Sequence, residues 1–172
     1  MKGSGFMISN VNDGKLIYFV SVGGHNRGYD THCAYYENGK LYEVRFPEWL
    51  FFTEDKEAPF VGTWTGDNTF DIKCLYDNSI KHATLDTDKI DGFEPSWREL
   101  GFGAVLDNSD GGPKVIDDTV YVTYELTIDE YLYTYAYADC TFKFDKDNMS
   151  MTLVSANYSA MNYNLDGIMF QD

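Results

Sequence analysis

Along most of this chain, apolar side chains return at every second position, the spacing that lines one face of an extended strand and not one face of a helix. Residues 119–127 align Val120, Val122, Tyr124 and Leu126 on one side. Residues 130–139 align Tyr131, Tyr133, Tyr135 and Tyr137, with Leu132, Thr134, Ala136 and Ala138 opposite. Residues 141–145 extend this run past a kink or bulge expected near Asp139 and Cys140. Residues 15–22 (KLIYFVSV) are apolar at both parities and read as a buried strand. Aromatic residues make up 17% of the chain, a bias that suits half-buried pleated surfaces.

The turn chemistry agrees. Asn38-Gly39 separates residues 31–37 from residues 40–46, and both turn residues tolerate positive φ, so a type I′ hairpin is predicted there. Pro47 ends the second strand because it has no N–H for a ladder. Residues 60–65, 69–76 and 80–85 read as a meander through Gly66-Asp67-Asn68 and Asp77-Asn78-Ser79. Residues 86–113 are the irregular stretch, where residues 94–100 (EPSWREL) offer one short helix between a proline and Gly101. Residues 149–158 form a strand after a turn at 146–148, and the last residues add an edge strand or fray. About eight to ten strands with hairpin-length connections predict an all-β, mainly antiparallel fold: a sandwich, a barrel or a propeller-like sheet stack.

A length of 172 residues without repeat, linker or low-complexity segment predicts a single β domain spanning 1–172. The chain holds 28 acidic against 13 basic residues, a formal net charge of −15. Such a surface repels phosphate backbones and anionic membranes, so neither nucleic acid nor membrane insertion is expected. Cys33, Cys74 and Cys140 have no metal-ligand spacing and read as buried small hydrophobes. No signal peptide or membrane-spanning run is legible, which places the chain as given in the cytoplasm. A segment cut downstream of a leader would be extracellular or at a cell surface and would look the same.

Three groups of residues are candidate sites. The tyrosine row Tyr131, Tyr133, Tyr135 and Tyr137 offers a stripe for stacking on sugar rings or clamping a peptide; the alternative is a core edge. The glycine-bearing loop at 23–30 carries His25, Asn26 and Arg27 in a position where β proteins hold binding chemistry. Asp107, Ser109 and Asp110 alternate oxygen-bearing side chains before Gly111, a pattern that suits calcium and, more commonly, an Asx-rich turn. No nucleophile–base grouping, zinc motif or phosphate loop stands out, so no catalytic residue and no cofactor are assigned.

The pieces NVNDGK (10–15), LIYFVSVGG (16–24) and YENGKLYEV (36–44) resemble a family of bacterial extracytoplasmic proteins with FG-GAP or VCBS-like sheets. The runs YVTYEL, YLYTYAYAD and MTLVSANYS are similar to the C-terminal half of such proteins, so the likeness covers about half the chain. Where the family's calcium loop carries several aspartates, Asn10, Asn12 and Asp13 stand here. The resemblance implies a secreted or cell-surface β module and not an enzyme. A second, poorer resemblance is to lipocalin-like barrels, carried by Gly62-Thr63-Trp64.

The reading that follows is a non-catalytic binding or interaction module of a bacterial surface or secreted protein, with a protein or carbohydrate ligand. Its rivals are an intracellular acidic inhibitor or immunity-type protein that neutralises a basic partner, and a small-ligand barrel with a closed apolar cavity.

Overall fold

The computed structural model describes residues 5–22, 29–45, 60–89, 96, 102–106, 113–128, 133–160 and 167–171. These residues form thirteen strands: β1 (Gly5–Val11), β2 (Gly14–Val22), β3 (Tyr29–Glu37), β4 (Lys40–Val44), β5 (Phe60–Trp64), β6 (Thr69–Cys74), β7 (Ile80–Leu85), β8 (Phe102–Leu106), β9 (Lys114–Ile116), β10 (Thr119–Ile128), β11 (Tyr133–Asp145), β12 (Ser150–Ala160) and β13 (Ile168–Gln171). No α-helix occurs among the described residues, and no helix is long and apolar enough to cross a membrane. The all-β prediction therefore holds. The predicted short helix at 94–100 lies outside the described residues except for Ser96.

The strands make three antiparallel sheets, none closed into a barrel. The first runs in the order β1-β2-β3-β4 and the third in the order β13-β7-β6-β5. The second runs β12-β11-β10-β8, with β9 paired to the start of β10.

Turn chemistry explains the hairpins. Asn38 and Gly39 have φ of 52° and 78°, the two positive values that a type I′ turn needs, and Glu37 pairs with Lys40 across them. Asn12 (φ 52°) and Asp117 (φ 51°) open two further two-residue loops, between Val11 and Gly14 and between Ile116 and Thr119. The short side chains of Asn and Asp suit this region better than most residues do.

Four strand-level expectations change. β1 precedes the first strand read from the sequence, β8 lies inside the stretch expected to be irregular, and β9 was not anticipated. β8 and β9 are short and flanked by turn formers that mask a run of only three to five residues. The chain ends in a strand, as one of the two alternatives had it: β13 pairs with β7 from Ile168 opposite Leu85 to Gln171 opposite His82. Finally, the alternation of β11 does not break near Asp139 and Cys140. Ala136, Ala138, Cys140, Phe142 and Phe144 are all buried in unbroken alternation. The break falls earlier, where the consecutive residues Tyr135 and Ala136 are both buried.

The chain divides into two compact units. Unit 1 comprises Met1–Glu57, Leu106–Thr123 and Cys140–Ala156; unit 2 comprises Ala58–Val105, Tyr124–Asp139 and Asn157–Asp172. Strands β10, β11 and β12 contribute residues to both.

In unit 1, Leu16, Tyr18, Cys33, Tyr35 and Val44 of the first sheet and Val120, Val122, Cys140, Phe142, Phe144 and Met151 of the second are buried. The rings of Tyr35 and Phe144 meet at 5.1 Å, which puts the inner faces of the two sheets in contact. The same sheets are also joined through the backbone. The Arg45 N–H donates to the Met149 carbonyl and the Arg45 carbonyl accepts from the Met151 N–H, each at 2.8 Å, forming a parallel bridge to Ser150. In unit 2, Phe60 sets its ring edge to face against Tyr124 at 5.5 Å and Tyr158 at 6.0 Å, and Phe70 does the same with Tyr135 at 5.3 Å. Ile72, Cys74, Ala83, Leu85 and Ile168 complete its buried apolar set from the third sheet.

Candidate functional site

His25, Asn26 and Arg27 lie outside the described residues, as do Tyr131 and the calcium candidates Asp107, Ser109 and Asp110. Tyr133 opens β11. Tyr135 is 1% exposed and holds its ring against Phe70, and Tyr137 is half-buried. Tyr135 therefore belongs to the packed interior of unit 2, which is the core-edge alternative and not an open stacking stripe. Burial also pushes its phenol well above the ordinary tyrosine range.

The cysteines are free thiols and buried. Removal from water raises the Cys33 pKa to about 12 and that of Cys74 to about 11, values that suppress the nucleophilic thiolate. Among the described residues no group of three or more His, Cys, Asp or Glu side chains is placed to hold a metal ion.

Three described lysines, Lys89, Lys143 and Lys146, face carboxylates. Lys146 Nζ lies 2.6 Å from Glu37 Oε1, and Lys143 Nζ lies 3.4 Å from Asp118 Oδ2. Both lysines line an open groove of about 550 Å³ with Asn12, Asp145, Asp147 and Val154. A groove whose cations already face carboxylates offers little to an anion. On unit 2, His82 Nδ1 meets Asp71 Oδ1 at 2.6 Å on the exposed side of the third sheet, in line with Thr63 and Gln171 across the ladder. The pair has no nucleophile assigned to it and is open to water.

The outer face of the first sheet is different in kind. The register stacks three rows across its strands: Phe6, Phe19 and His32; Ile8, Ile17, Ala34 and Glu43; Asn10, Lys15, Tyr36 and Leu41. Alternation turns these residues away from the core, because Leu16, Tyr18, Cys33, Tyr35 and Val44 point the other way and are buried. Seven of the eleven are apolar or aromatic. Phe6 is 67% exposed, Leu41 66%, Ile8 51% and Tyr36 43%, while Ile17, Phe19 and Ala34 are half-buried by their neighbours. The Phe19 and His32 rings stack at 6.4 Å with 29° between planes. A contiguous patch of this sort marks a contact surface more often than scattered exposed apolar residues do.

Charge on this face is balanced. Its formal charges are Lys15 on β2 and Glu43 on β4, with His32 beside them. The acidic excess is greater in unit 2, which holds 14 acidic and 4 basic residues against 14 and 9 in unit 1.

Sequence reasoning missed this face, although a signal existed. Residues 15–22 are apolar at both parities, a pattern that predicts burial on both sides. Among residues 15–19, Leu16 and Tyr18 are fully buried, whereas Ile17 and Phe19 turn outward beside Ile8 and Phe6 of β1 and are half-buried.

Compared with known proteins, the chain matches no family model, no curated protein and no solved structure.

Proposed function

We propose that the chain is a non-catalytic interaction module whose contact surface is the outer face of β1–β4. The observation that carries this reading is the cluster of Phe6, Ile8, Tyr36 and Leu41, open to water around half-buried Ile17, Phe19 and Ala34. Burying such a face against a partner releases about 25 cal/mol for each Å² of apolar surface, before the cost of association. The FG-GAP or VCBS-like resemblance supports a bacterial surface or secreted setting for such a module.

The test uses Nile red, an uncharged dye that brightens on apolar surface, with protein dilute enough to be monomeric. Wild type brightens the dye, and the Phe6→Ser, Leu41→Ser double variant loses most of that signal while its far-ultraviolet circular dichroism stays unchanged. A folded, monomeric wild type that leaves the dye dark would overturn the reading.

A second reading, an acidic inhibitor of a basic partner, is favoured by the 14 acidic and 4 basic residues of unit 2. Binding of polylysine that weakens steeply with added salt supports it, and salt-independent binding or none removes it.

A further inference from the structure

We propose that the outer face of β1–β4 docks on the same face of a second copy of this chain about a two-fold axis. This rests on the reading of that face as the contact surface and names its occupant.

The charges on the face select the occupant. A cationic partner would find no acidic excess there, since Lys15 offsets Glu43. A second copy finds its complement. Lys15 stands on β2 in the row of Tyr36, and Glu43 stands on β4 in the row of Ala34. The point midway between them lies over β3, between Ala34 and Tyr36, near the middle of the patch. A two-fold axis lying between the two faces, crossing that point at right angles to the line from Lys15 to Glu43, sets Lys15 of each copy opposite Glu43 of the other, and so forms both ion pairs at once. The same operation brings Ile17, Ala34 and Tyr36 of each copy together at the centre, with the pairs toward the rim. An apolar centre with a polar rim is the usual anatomy of such interfaces. The larger share of the net negative charge sits in unit 2, outside the strands that carry the face.

The scale follows from the ladder. Three inter-strand spacings make the face about 14 Å wide between its outer strands. That is a small interface, so the dimer forms in the micromolar range and dissociates on dilution.

Sedimentation velocity over a dilution series tests this with the full chain. Wild type moves from monomer to dimer as concentration rises to about 100 μM, and Nile red fluorescence per chain falls in parallel as the face is covered. Ile8→Ser with Leu41→Ser remains monomeric. Lys15→Glu weakens association at least fivefold by setting like charges opposite each other, and adding Glu43→Lys to it restores association, which also shows that the single variant was folded. Dimers that ignore these substitutions would overturn the proposal, as would failure of the paired swap to restore them. A wild type that stays monomeric throughout, yet binds the dye through Phe6 and Leu41, removes the second copy and leaves the contact surface standing.

Discussion

The Lys146 ammonium lies 2.6 Å from Glu37 Oε1 and 5.4 Å from the centre of the Tyr35 ring, joining the β3–β4 hairpin to the turn after β11. The Tyr35 hydroxyl is also 3.3 Å from Glu37 Oε1 and 3.2 Å from the Val11 carbonyl. The Tyr35 hydroxyl and the Glu37 carboxylate together tie the β3–β4 hairpin to the end of β1 and to the turn after β11.

That arrangement has a pH signature. The hydrogen bond to Glu37 raises the Lys146 pKa above its ordinary value of 10.5. A raised folded-state pKa means the contribution is whole below the unfolded value and is lost as pH climbs through the folded one. Lys146→Met should lower the melting temperature by a few degrees at most at neutral pH, as expected of a partly exposed pair. The difference from wild type should close as pH rises beyond 10.5, which thermal melts at a series of pH values would show.

The thiols set a second alkaline limit. Cys33 and Cys74 ionise in the unfolded chain near the ordinary 9.0 but in the fold only near 12 and 11. The unfolded state therefore loses protons first, and stability should fall progressively from pH 9 upward. Ellman's reagent at pH 8 should leave Cys33, Cys74 and Cys140 almost unreacted in the native protein and titrate all three in denaturant. Rapid native labelling would contradict their burial.

Tyr135→Ala should destabilise unit 2 by about 3–5 kcal/mol, the usual cost of removing a buried ring. The ring it removes packs at 5.3 Å against Phe70. Urea denaturation checks this. A variant as stable as wild type would return Tyr135 to the list of exposed binding tyrosines.

Gly14→Ala tests the start of β2. A β-carbon there would sit 2.6 Å from the Tyr36 carbonyl oxygen and against the Tyr35 phenol. Tyr35 is fully buried and the carbonyl belongs to the paired strand, so neither can withdraw freely. A loss of about 1–3 kcal/mol is expected, as for other overpacked sites, again from urea denaturation.

Much of the fold was legible because turn residues carry their own conformational demand. Asn38-Gly39 marked its hairpin, and the bounds of β7 and the inward row Val120, Val122, Tyr124 and Leu126 emerged as read from alternation. What alternation leaves open is which side of a strand meets water. That gap explains both misreadings of the candidate surface: Tyr135 looked available and is buried, while Ile17 and Phe19 looked buried and face outward. A phase break between adjacent residues, such as Tyr135 and Ala136, leaves no trace in a row where every second residue is aromatic. The loop candidates His25, Asn26 and Arg27 rested on glycine-rich composition, and they lie outside the described residues.

Because β10, β11 and β12 each begin in one unit and finish in the other, the polypeptide enters and leaves both units repeatedly. No single cut in the chain frees either one intact. A truncation meant to isolate half of this protein would sever a strand's own covalent thread, so scanning calorimetry should find heat absorbed in one event and limited proteolysis should yield no stable half.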